Sequence, residues 1–327
     1  MKKIISAVIT AAMLLTTAAG CAPAENIEEN ERLEVVTTLF PQYDFTRQIA
    51  GDKAEITLLL PSGMESHSYE PTPSDRIKAG RCDLFIYTGE YMEPWAGGIV
   101  SDISENGVSV LDVSQGITLG KTEDEHHHDE EHEGEEEHEE HETEEEHDEH
   151  VHEVDPHIWT DPNNAIIMVD SILAELVALD PENAAYYNAN AESYKAELSE
   201  LDNELRGIAE GGKRRKLYFG GRFAFYYLTE RYGLEYEAAY DSCSTEAEPT
   251  ARRIAEISDD IKEDGIPVIY YEELTDPKIA RSLSDELGIK MLMLHSCHNL
   301  SQEDYNNGET YISLMKRNAE NIREGLN

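Results

Sequence analysis

The sequence predicts an α/β protein in which two parallel-sheet lobes are joined by a long rigid helix. Three observations support this fold class. Short apolar, β-branched runs alternate with helical stretches in residues 33–162, the same alternation resumes in residues 213–327, and a long helical stretch, residues 163–212, lies between them. Strands that alternate with helices form parallel sheets covered on both faces, because each crossover places a helix against the sheet.

The N-terminal lobe, residues 33–162, begins with "LEVVTTLF", a β-branched strand that leads into a proline-marked turn and a helix ending at Gly51. "AEITLLL" is the next predicted strand. The stretch "PSDRIKAGRCDLFIYTG" repeats the order of helix and apolar strand, and "GVSVLDVS" adds a further strand.

The linker, residues 163–212, is predicted to be helical and interrupted only at "DPEN". Asp180 and Pro181 fit an N-cap and a first helical position, whereas Gly211 and Gly212 fit a helix stop. A helix of roughly thirty residues spans about 45 Å at 1.5 Å per residue.

The C-terminal lobe, residues 213–327, returns to alternating elements and closes with the helix "TYISLMKRNAENIREGL". Its predicted elements are, in order, "KLYFGG", "FAFYYLTERYG", "LEYEAAYDS", "TARRIAEISDDIKEDG", "IPVIYYEEL", "DPKIARSLSDELG" and "IKMLMLHS". Two such lobes form a cleft, and ligands of parallel sheets bind beyond the carboxyl ends of the strands.

The N-terminus predicts export. Residues 1–20 combine two lysines, a short apolar stretch and small residues, as secretory signals do. "AAGC" resembles a bacterial lipobox, so Cys21 is predicted to carry lipid and residues 21–32 to form a flexible stalk. The alternative is a simple cleaved signal. With lipid at Cys21, the protein is predicted to be extracytoplasmic and attached to the bacterial cell membrane. The lipid is the only expected anchor, since no other segment is expected to cross a membrane.

Charge argues against nucleic acid as a partner. The net charge is −43, and residues 123–153 hold 19 Asp and Glu and no Lys or Arg, which leaves 50 acids against 26 bases elsewhere. The run 122–153 also contains most of the histidines and has no apolar periodicity. It is therefore predicted to be disordered without metal and to be too long for an ordinary connecting loop.

Four histidines lie outside this run: His67, His157, His295 and His298. Each is predicted to follow a strand or to lie in a loop, and the prolines of "DPHIWTDP" stiffen the backbone around His157. Neutral imidazoles that converge at strand ends bind borderline divalent cations. A single loop histidine is more often an ordinary surface residue, so the hypothesis depends on the set.

Several stretches resemble the metal-binding lipoproteins of zinc and manganese ABC importers, in order and over nearly the whole mature chain. They are "VVTTLFPQYDFTRQIAGD", "LLLPSGMESHSYEPTPSD", "DLFIYTGEYMEPW", "DPHIWTDP" and "RYGLEY". The resemblance implies two lobes, a long linking helix, and one metal ion in the interlobe cleft held by three histidines and a fourth ligand. Many members of that family carry a similar His/acid-rich loop.

The resemblance implies that His67 and His157 are the first two ligands. At the position of the family's third histidine this chain has Arg222, and a guanidinium stays protonated and does not ligate metal. The family's fourth ligand corresponds to His295 in "LHSCHNL". We therefore expect this loop to supply ligands, with His295 and also His298, and Glu272 as a weaker candidate that orients a ligand instead.

Three cysteines remain once Cys21 is assigned to lipid. Cys82, in the apolar run "RCDLFIY", is predicted to be buried in the core. Cys243 and Cys297 both follow predicted strands of the second lobe, in an oxidising location. A disulfide between them is favoured, and thiolate ligation of zinc is the alternative.

The sequence thus predicts a solute-binding protein that captures Zn(II) and delivers it to an ABC permease, and not an enzyme. Manganese is the alternative substrate, but imidazole-rich ligation favours zinc. A secreted zinc hydrolase is disfavoured because the chain has neither H-E-x-x-H nor G-x-S-x-G. A surface adhesin or zinc buffer would place the activity in the acidic run.

Deleting residues 123–153 is expected to lower the number of zinc ions bound while leaving one tight site, because scattered ligands bind weakly and only a preorganised set binds tightly. Calorimetric titration of the deletion variant beside the full chain measures both quantities. Loss of the tight site with the run would assign zinc binding to the run itself.

Overall fold

Two four-stranded parallel sheets form the framework of the protein, as a computed structural model shows. It describes residues 32–120, 154–240 and 249–327. The predicted signal peptide, the lipidation site Cys21, the His/acid-rich run 122–153 and Cys243 lie outside the described residues.

The first sheet has the strand order β2-β1-β3-β4, and all its pairs are parallel, with Val35 opposite Ile56 and Val36 opposite Phe85. Its strands are β1 Leu33–Thr37, β2 Ala54–Leu58, β3 Leu84–Tyr87 and β4 Ser109–Asp112. Helices α1 Phe40–Ala50, α2 Pro73–Ala79 and α3 Ala96–Glu105 connect them.

The second sheet repeats this order as β6-β5-β7-β8, again all parallel. Its strands are β5 Lys216–Phe219, β6 Glu235–Ala238, β7 Val268–Glu272 and β8 Lys290–Leu294. The helices of this half are α6 Tyr226–Tyr232, α7 Ala251–Asp264, α8 Lys278–Leu287, α9 Gln302–Asn307 and α10 Tyr311–Leu326. The predicted class of two parallel α/β sheets is confirmed.

In the sequence, two helices separate the strands of the first sheet from those of the second. They are α4 Pro162–Leu179 and α5 Ala184–Gly211, and they pack against each other. The break falls at the predicted place, where Asp180 Oδ1 accepts from the Asn183 N–H at 3.3 Å and Tyr187 Oη donates to Asp180 Oδ2 at 2.6 Å. Helix α5 has 28 residues, about 42 Å, and it packs against α1 of the first half and α10 of the second. The exact domain boundaries stay a prediction.

Helix α4 corrects one expectation. Among the described residues it alone is long and apolar enough to cross a membrane by length and composition. However, it buries one face at helical spacing and packs against α1 and α5, so its apolarity belongs to the core. The buried residues of this face are Ala165, Met168, Val169, Ile172 and Leu176.

The two halves are tied together by a buried chain of contacts around Tyr311 at the start of α10. The Tyr311 N–H donates to Asp44 Oδ2 of α1 at 2.8 Å, and the Tyr311 hydroxyl donates to the Trp159 carbonyl at 2.5 Å. Trp159 Nε1 in turn donates to the Ser296 carbonyl, in the loop after β8, at 2.6 Å. Phe45 packs edge-on against the Tyr311 ring at 5.0 Å. These contacts fix the loop after β8 relative to the first half.

Gly120 and Asp155, which flank the segment outside the described residues, lie next to each other. The Asp155 N–H donates to the Gly120 carbonyl at 3.2 Å. Tyr227 of α6 joins the same point, since its hydroxyl donates to the Asp155 carbonyl at 2.7 Å and accepts from the Gly120 N–H at 3.0 Å. The two ends of the segment between Gly120 and Asp155 are therefore held side by side.

A buried carboxyl group lies where β1 and β3 end. Glu93 is 1% exposed, accepts from Thr38 Oγ1 at 2.5 Å and accepts from the Thr88 N–H at 3.1 Å. Burial raises the pKa of Glu93 to about 7 despite these hydrogen bonds. This group therefore makes stability depend on pH.

Because the pKa of Glu93 is higher in the folded chain than its ordinary 4.5, the folded state retains a proton that the unfolded state loses between pH 4.5 and about 7. The stabilisation is complete below pH 4.5 and is lost as pH rises through 7, by about 3 kcal/mol. Glu93→Gln is expected to remove this contribution and so to reduce the fall in stability. Urea unfolding with a chelator present measures the free energy of unfolding from pH 4.5 to 7.5, with the exposed Glu90→Gln as a control. Equal slopes of this free energy against pH in wild type and Glu93→Gln would contradict the prediction.

Candidate metal centre

A small cavity lies where loops after strands of both sheets meet. The first half contributes the loop after β2 and the segment before the short 3₁₀ helix Ile158–Thr160, whereas the second half contributes the chain after β5, the end of β7 and the loop after β8. The lining residues are Glu65, His67, His157, Arg222, Phe223, Ala224, Glu272 and His298. Parallel strands direct their carboxyl ends to one edge, which is why these side chains converge.

His67 and His157 face each other across the cavity, with their Nε2 atoms 3.4 Å apart. In a tetrahedral zinc site with Zn–N distances of about 2.0–2.1 Å, two ligand nitrogens are separated by about 3.3 Å. The pair therefore already has the spacing of one edge of such a site. Burial and the neighbouring His157 lower the pKa of His67 to about 3, which leaves its imidazole neutral at pH 7.

The orientation of His157 is fixed by Asp155. Asp155 Oδ1 lies 2.9 Å from His157 Nδ1 and also accepts from the His157 N–H at 2.8 Å. A carboxylate in this position takes the Nδ1 proton as a hydrogen bond, so the Nε2 electron pair faces the cavity. Both groups are almost wholly buried, which prevents the ring from turning into solvent.

The loop after β8 brings His298, and not His295, to the cavity. His298 Nε2 is buried without a hydrogen-bond partner among the described residues, and Glu65 Oε1 lies 3.9 Å from it. His295 does not line the cavity: its N–H donates to Asn318 Oδ1 at 2.8 Å and its Nδ1 accepts from the Cys297 N–H at 3.0 Å. The structure therefore separates the two histidines that the sequence grouped.

Two carboxyl groups line the cavity. Glu272, at the end of β7, is fully buried, and burial together with the charge of Glu273 raises its pKa to about 7. For Glu65, burial opposes ionisation, but His298 and Arg222 outweigh it and lower the pKa. The cavity thus offers one ionised carboxylate and one that a bound cation would deprotonate.

Arg222 lies in the cavity wall. It occupies the position at which the sequence resemblance places a third histidine in the family. Its Nη2 is 3.5 Å from Glu65 Oε2, so it pairs with a carboxylate from the opposite half of the cleft. A guanidinium has no electron pair for a metal. Among the described residues, no three His, Cys, Asp or Glu side chains stand close enough to hold a metal ion together as placed. Ligation therefore requires a third side chain to move toward the His67–His157 pair.

Sequence reasoning missed three acids at this site: Glu65, Asp155 and Glu273. Two of them share a signal, because Glu65 precedes His67 by two residues as Asp155 precedes His157, and each accepts from the backbone N–H of its histidine. An acid two residues before a loop histidine can close such a turn. Glu273 had no comparable signal, since it contacts residues distant in the sequence.

Cys297 is fully buried, forms no disulfide with another cysteine of the described ranges and has a positive φ of 65°. Cys82 is also buried and free, as expected for a core residue. The predicted pairing of Cys297 with Cys243 stays a prediction because Cys243 lies outside the described residues.

The chain matches known proteins along its length. The family model for "Zinc-uptake complex component A periplasmic", ZnuA, matches residues 35–325. The high-affinity zinc uptake system protein ZnuA of Bacillus subtilis (strain 168) is 36% identical over 321 residues, covering 98% of this chain and 96% of that protein. The zinc-binding lipoprotein AdcA of Streptococcus pneumoniae (strain ATCC BAA-255 / R6) is 34% identical over 297 residues, or 90% of this chain and 56% of that protein, so the chain spans about half its length.

The fold of this chain is also similar to solved structures. The metal-dependent lipoprotein YcdH from Bacillus subtilis superposes with a TM-score of 0.74 at 33% identity, covering 90% of this chain and 99% of that one. The Zn(II)-bound ZnuA-like domain of Streptococcus pneumoniae AdcA gives 0.73 at 30% identity, covering 90% and 99%. The family is a solute-binding transport component rather than an enzyme, and the AdcA domain is the one of these two relatives that was solved with Zn(II) bound. Since the match extends through both sheets and the cleft between them, the chain belongs to the ZnuA family of periplasmic zinc-uptake components.

Proposed function

We propose that this protein captures one Zn(II) ion in the cleft with His67, His157 and His298 and delivers it to an ABC permease for import. The observation that carries the proposal is the 3.4 Å separation of the His67 and His157 Nε2 atoms, because it matches an edge of a tetrahedral zinc site. His298 supplies the third nitrogen from the opposite half. Capture requires His298 to move toward the His67–His157 pair and involves no covalent chemistry.

The fourth ligand is a carboxylate oxygen from Glu65 or Glu272, both of which line the cavity. This assignment differs from the sequence-based expectation of His295, whose Nδ1 is occupied by the Cys297 N–H. It retains Glu272 and adds Glu65. A set of three imidazoles and one carboxylate favours zinc over manganese, since Mn(II) prefers more oxygen ligands.

Arg222 is proposed to balance the carboxylates. Its guanidinium pairs with Glu65 across the cleft, and a bound zinc ion would take over part of that role. Arg222 is thus a counter-charge and not a ligand.

Attachment to the membrane is proposed to depend on lipid at Cys21. The lipobox-like "AAGC" supports it, and relatives of this chain are named lipoproteins. The chain would then work outside the cytoplasmic membrane, contact it through the anchor and meet the permease there.

Replacing a ligand should weaken zinc binding far more than replacing a neighbour. In a chain lacking residues 123–153, we expect His67→Ala, His157→Ala and His298→Ala each to raise the zinc Kd by at least about 100-fold, because each removes one of four ligands. Arg222→Ala should leave a bound zinc detectable. Competition with a chromophoric chelator measures Kd.

His295→Asn is the matched control, because the Asn oxygen can accept from the Cys297 N–H in place of Nδ1. It should keep Kd within about threefold of the parent. A large loss in His295→Asn together with wild-type affinity in His298→Ala would reverse the assignment of the third ligand.

Cys243 and Cys297 are proposed to form a disulfide rather than to ligate zinc. Burial, with the charge of Glu273 close by, raises the pKa of the Cys297 thiol and disfavours a thiolate. Peptide mapping of the mature protein by mass spectrometry without reduction should therefore find the two cysteines in one linked peptide. Two alkylatable thiols would exclude the bond, and thiols protected only by zinc would indicate ligation.

A further inference from the structure

A buried carboxylate lies behind the cavity, on the side of His298 that faces away from it. Glu273 follows β7, is 5% exposed and is not among the residues that line the cavity. Its Oε2 accepts from the Ser296 N–H at 2.8 Å, and its Oε1 accepts from Ser296 Oγ at 2.7 Å. The same Oε1 lies 3.3 Å from His298 Nδ1 and 3.4 Å from His295 Nδ1.

The backbone decides which histidine can donate to Glu273. His295 Nδ1 accepts a hydrogen bond from the Cys297 N–H at 3.0 Å, so it presents an electron pair and carries no proton. It cannot donate to the carboxylate at the same time. Glu273 is therefore left with His298 as its imidazole donor.

The protons around His298 can be assigned in the same way. Since the Ser296 hydroxyl donates to Glu273 Oε1, its oxygen is free to accept, and it lies 2.5 Å from His298 Nδ1. His298 Nδ1 thus faces two acceptors, the serine oxygen and the carboxylate. Nδ1 must carry a proton, so in the neutral ring the Nε2 electron pair is left facing the cavity.

The first half of the cleft contains the same arrangement. Asp155 accepts from His157 Nδ1 and leaves His157 Nε2 toward the cavity. Each half therefore supplies an imidazole whose Nδ1, the ring nitrogen directed away from the cavity, lies against a buried carboxylate. Such partners fix the tautomer and ring orientation of metal-binding histidines.

We propose that Glu273, acting with Ser296, is a positioning residue for zinc capture, which holds His298 in the Nδ1–H tautomer with Nε2 directed into the cleft. The inference rests on the proposed function, because it takes His298 as a ligand. Its effect on zinc is indirect: loss of the carboxylate should leave the ligand in place but disordered in tautomer and orientation, with Kd raised by about 10–100-fold.

The test uses the chain without residues 123–153, labelled with ¹⁵N-histidine, because long-range ¹H–¹⁵N correlations report which ring nitrogen carries the proton. The signals of His298 are assigned by their disappearance in His298→Ala. In the metal-free wild type, at a pH high enough for the His298 ring to be neutral, His298 should be in the Nδ1–H form alone. Glu273→Gln, which keeps the shape but removes the charge, should show a mixed or Nε2–H population and the loss in zinc affinity.

Two further variants separate positioning from simple support of the loop. Glu273→Asp restores a carboxylate and should recover most of the Nδ1–H population, and Ser296→Ala should shift it in the same direction as Glu273→Gln. Asp155→Asn is the matched control, since it should disturb His157 and leave His298 unchanged. Unfolding midpoints of all variants show whether the fold is retained.

The inference is overturned if His298 keeps a pure Nδ1–H tautomer in both Glu273→Gln and Ser296→Ala, or if Glu273→Gln binds zinc with wild-type affinity. Wild-type affinity in His298→Ala is a different failure, because it removes His298 from the proposed ligand set. The tautomer of His298 in Glu273→Gln would still show whether the carboxylate orients the ring.

Discussion

The metal centre depends on the buried contacts that join the two halves of the chain around Tyr311. The histidines of the cavity come from different sheets, so their separation is set by how firmly those sheets are held together. Asp44 of α1, Tyr311 of α10 and the Trp159 backbone are connected by short buried hydrogen bonds, and Trp159 Nε1 reaches the loop that carries His298. Because Trp159 is two residues after His157, this one set of contacts also fixes the first half of the site.

Buried charged groups lie both behind the imidazoles and in the lining of the cavity. Asp155 and Glu273 lie behind His157 and His298, whereas Glu65 and Glu272 line the cavity beside Arg222. Carboxylates behind the imidazoles raise their basicity, and carboxylates beside them can neutralise a divalent cation directly. A cation that enters the cleft therefore meets imidazole rings that are already oriented and carboxylates that are already close.

Most of the fold could be predicted from the sequence because its signals are local. Alternation of apolar runs with helical stretches predicted both sheets, and "DPEN" marked the break between α4 and α5 because an Asp cap needs only neighbouring residues. His67 and His157 were identified by motif, and the structure brings them together. The choice between His295 and His298 was not predictable in this way. Cys297, between them, has φ of 65°, which turns the chain so that only one of the two imidazoles reaches the cavity. Glu273 and Glu65 required contacts between distant residues.

The hydrogen bond between Asp155 and Gly120 has a consequence for how the chain tolerates variation. It places the two ends of the intervening segment in contact, at a point that Tyr227 also braces. For a flexible chain between fixed ends, each doubling of length adds only about 0.6 kcal/mol of closure entropy. An insertion of any length between these two points would therefore meet the described chain at the same place, although His157 lies only two residues beyond Asp155. The geometry therefore separates variation within the insertion from the spacing of the His67 and His157 nitrogens at the site.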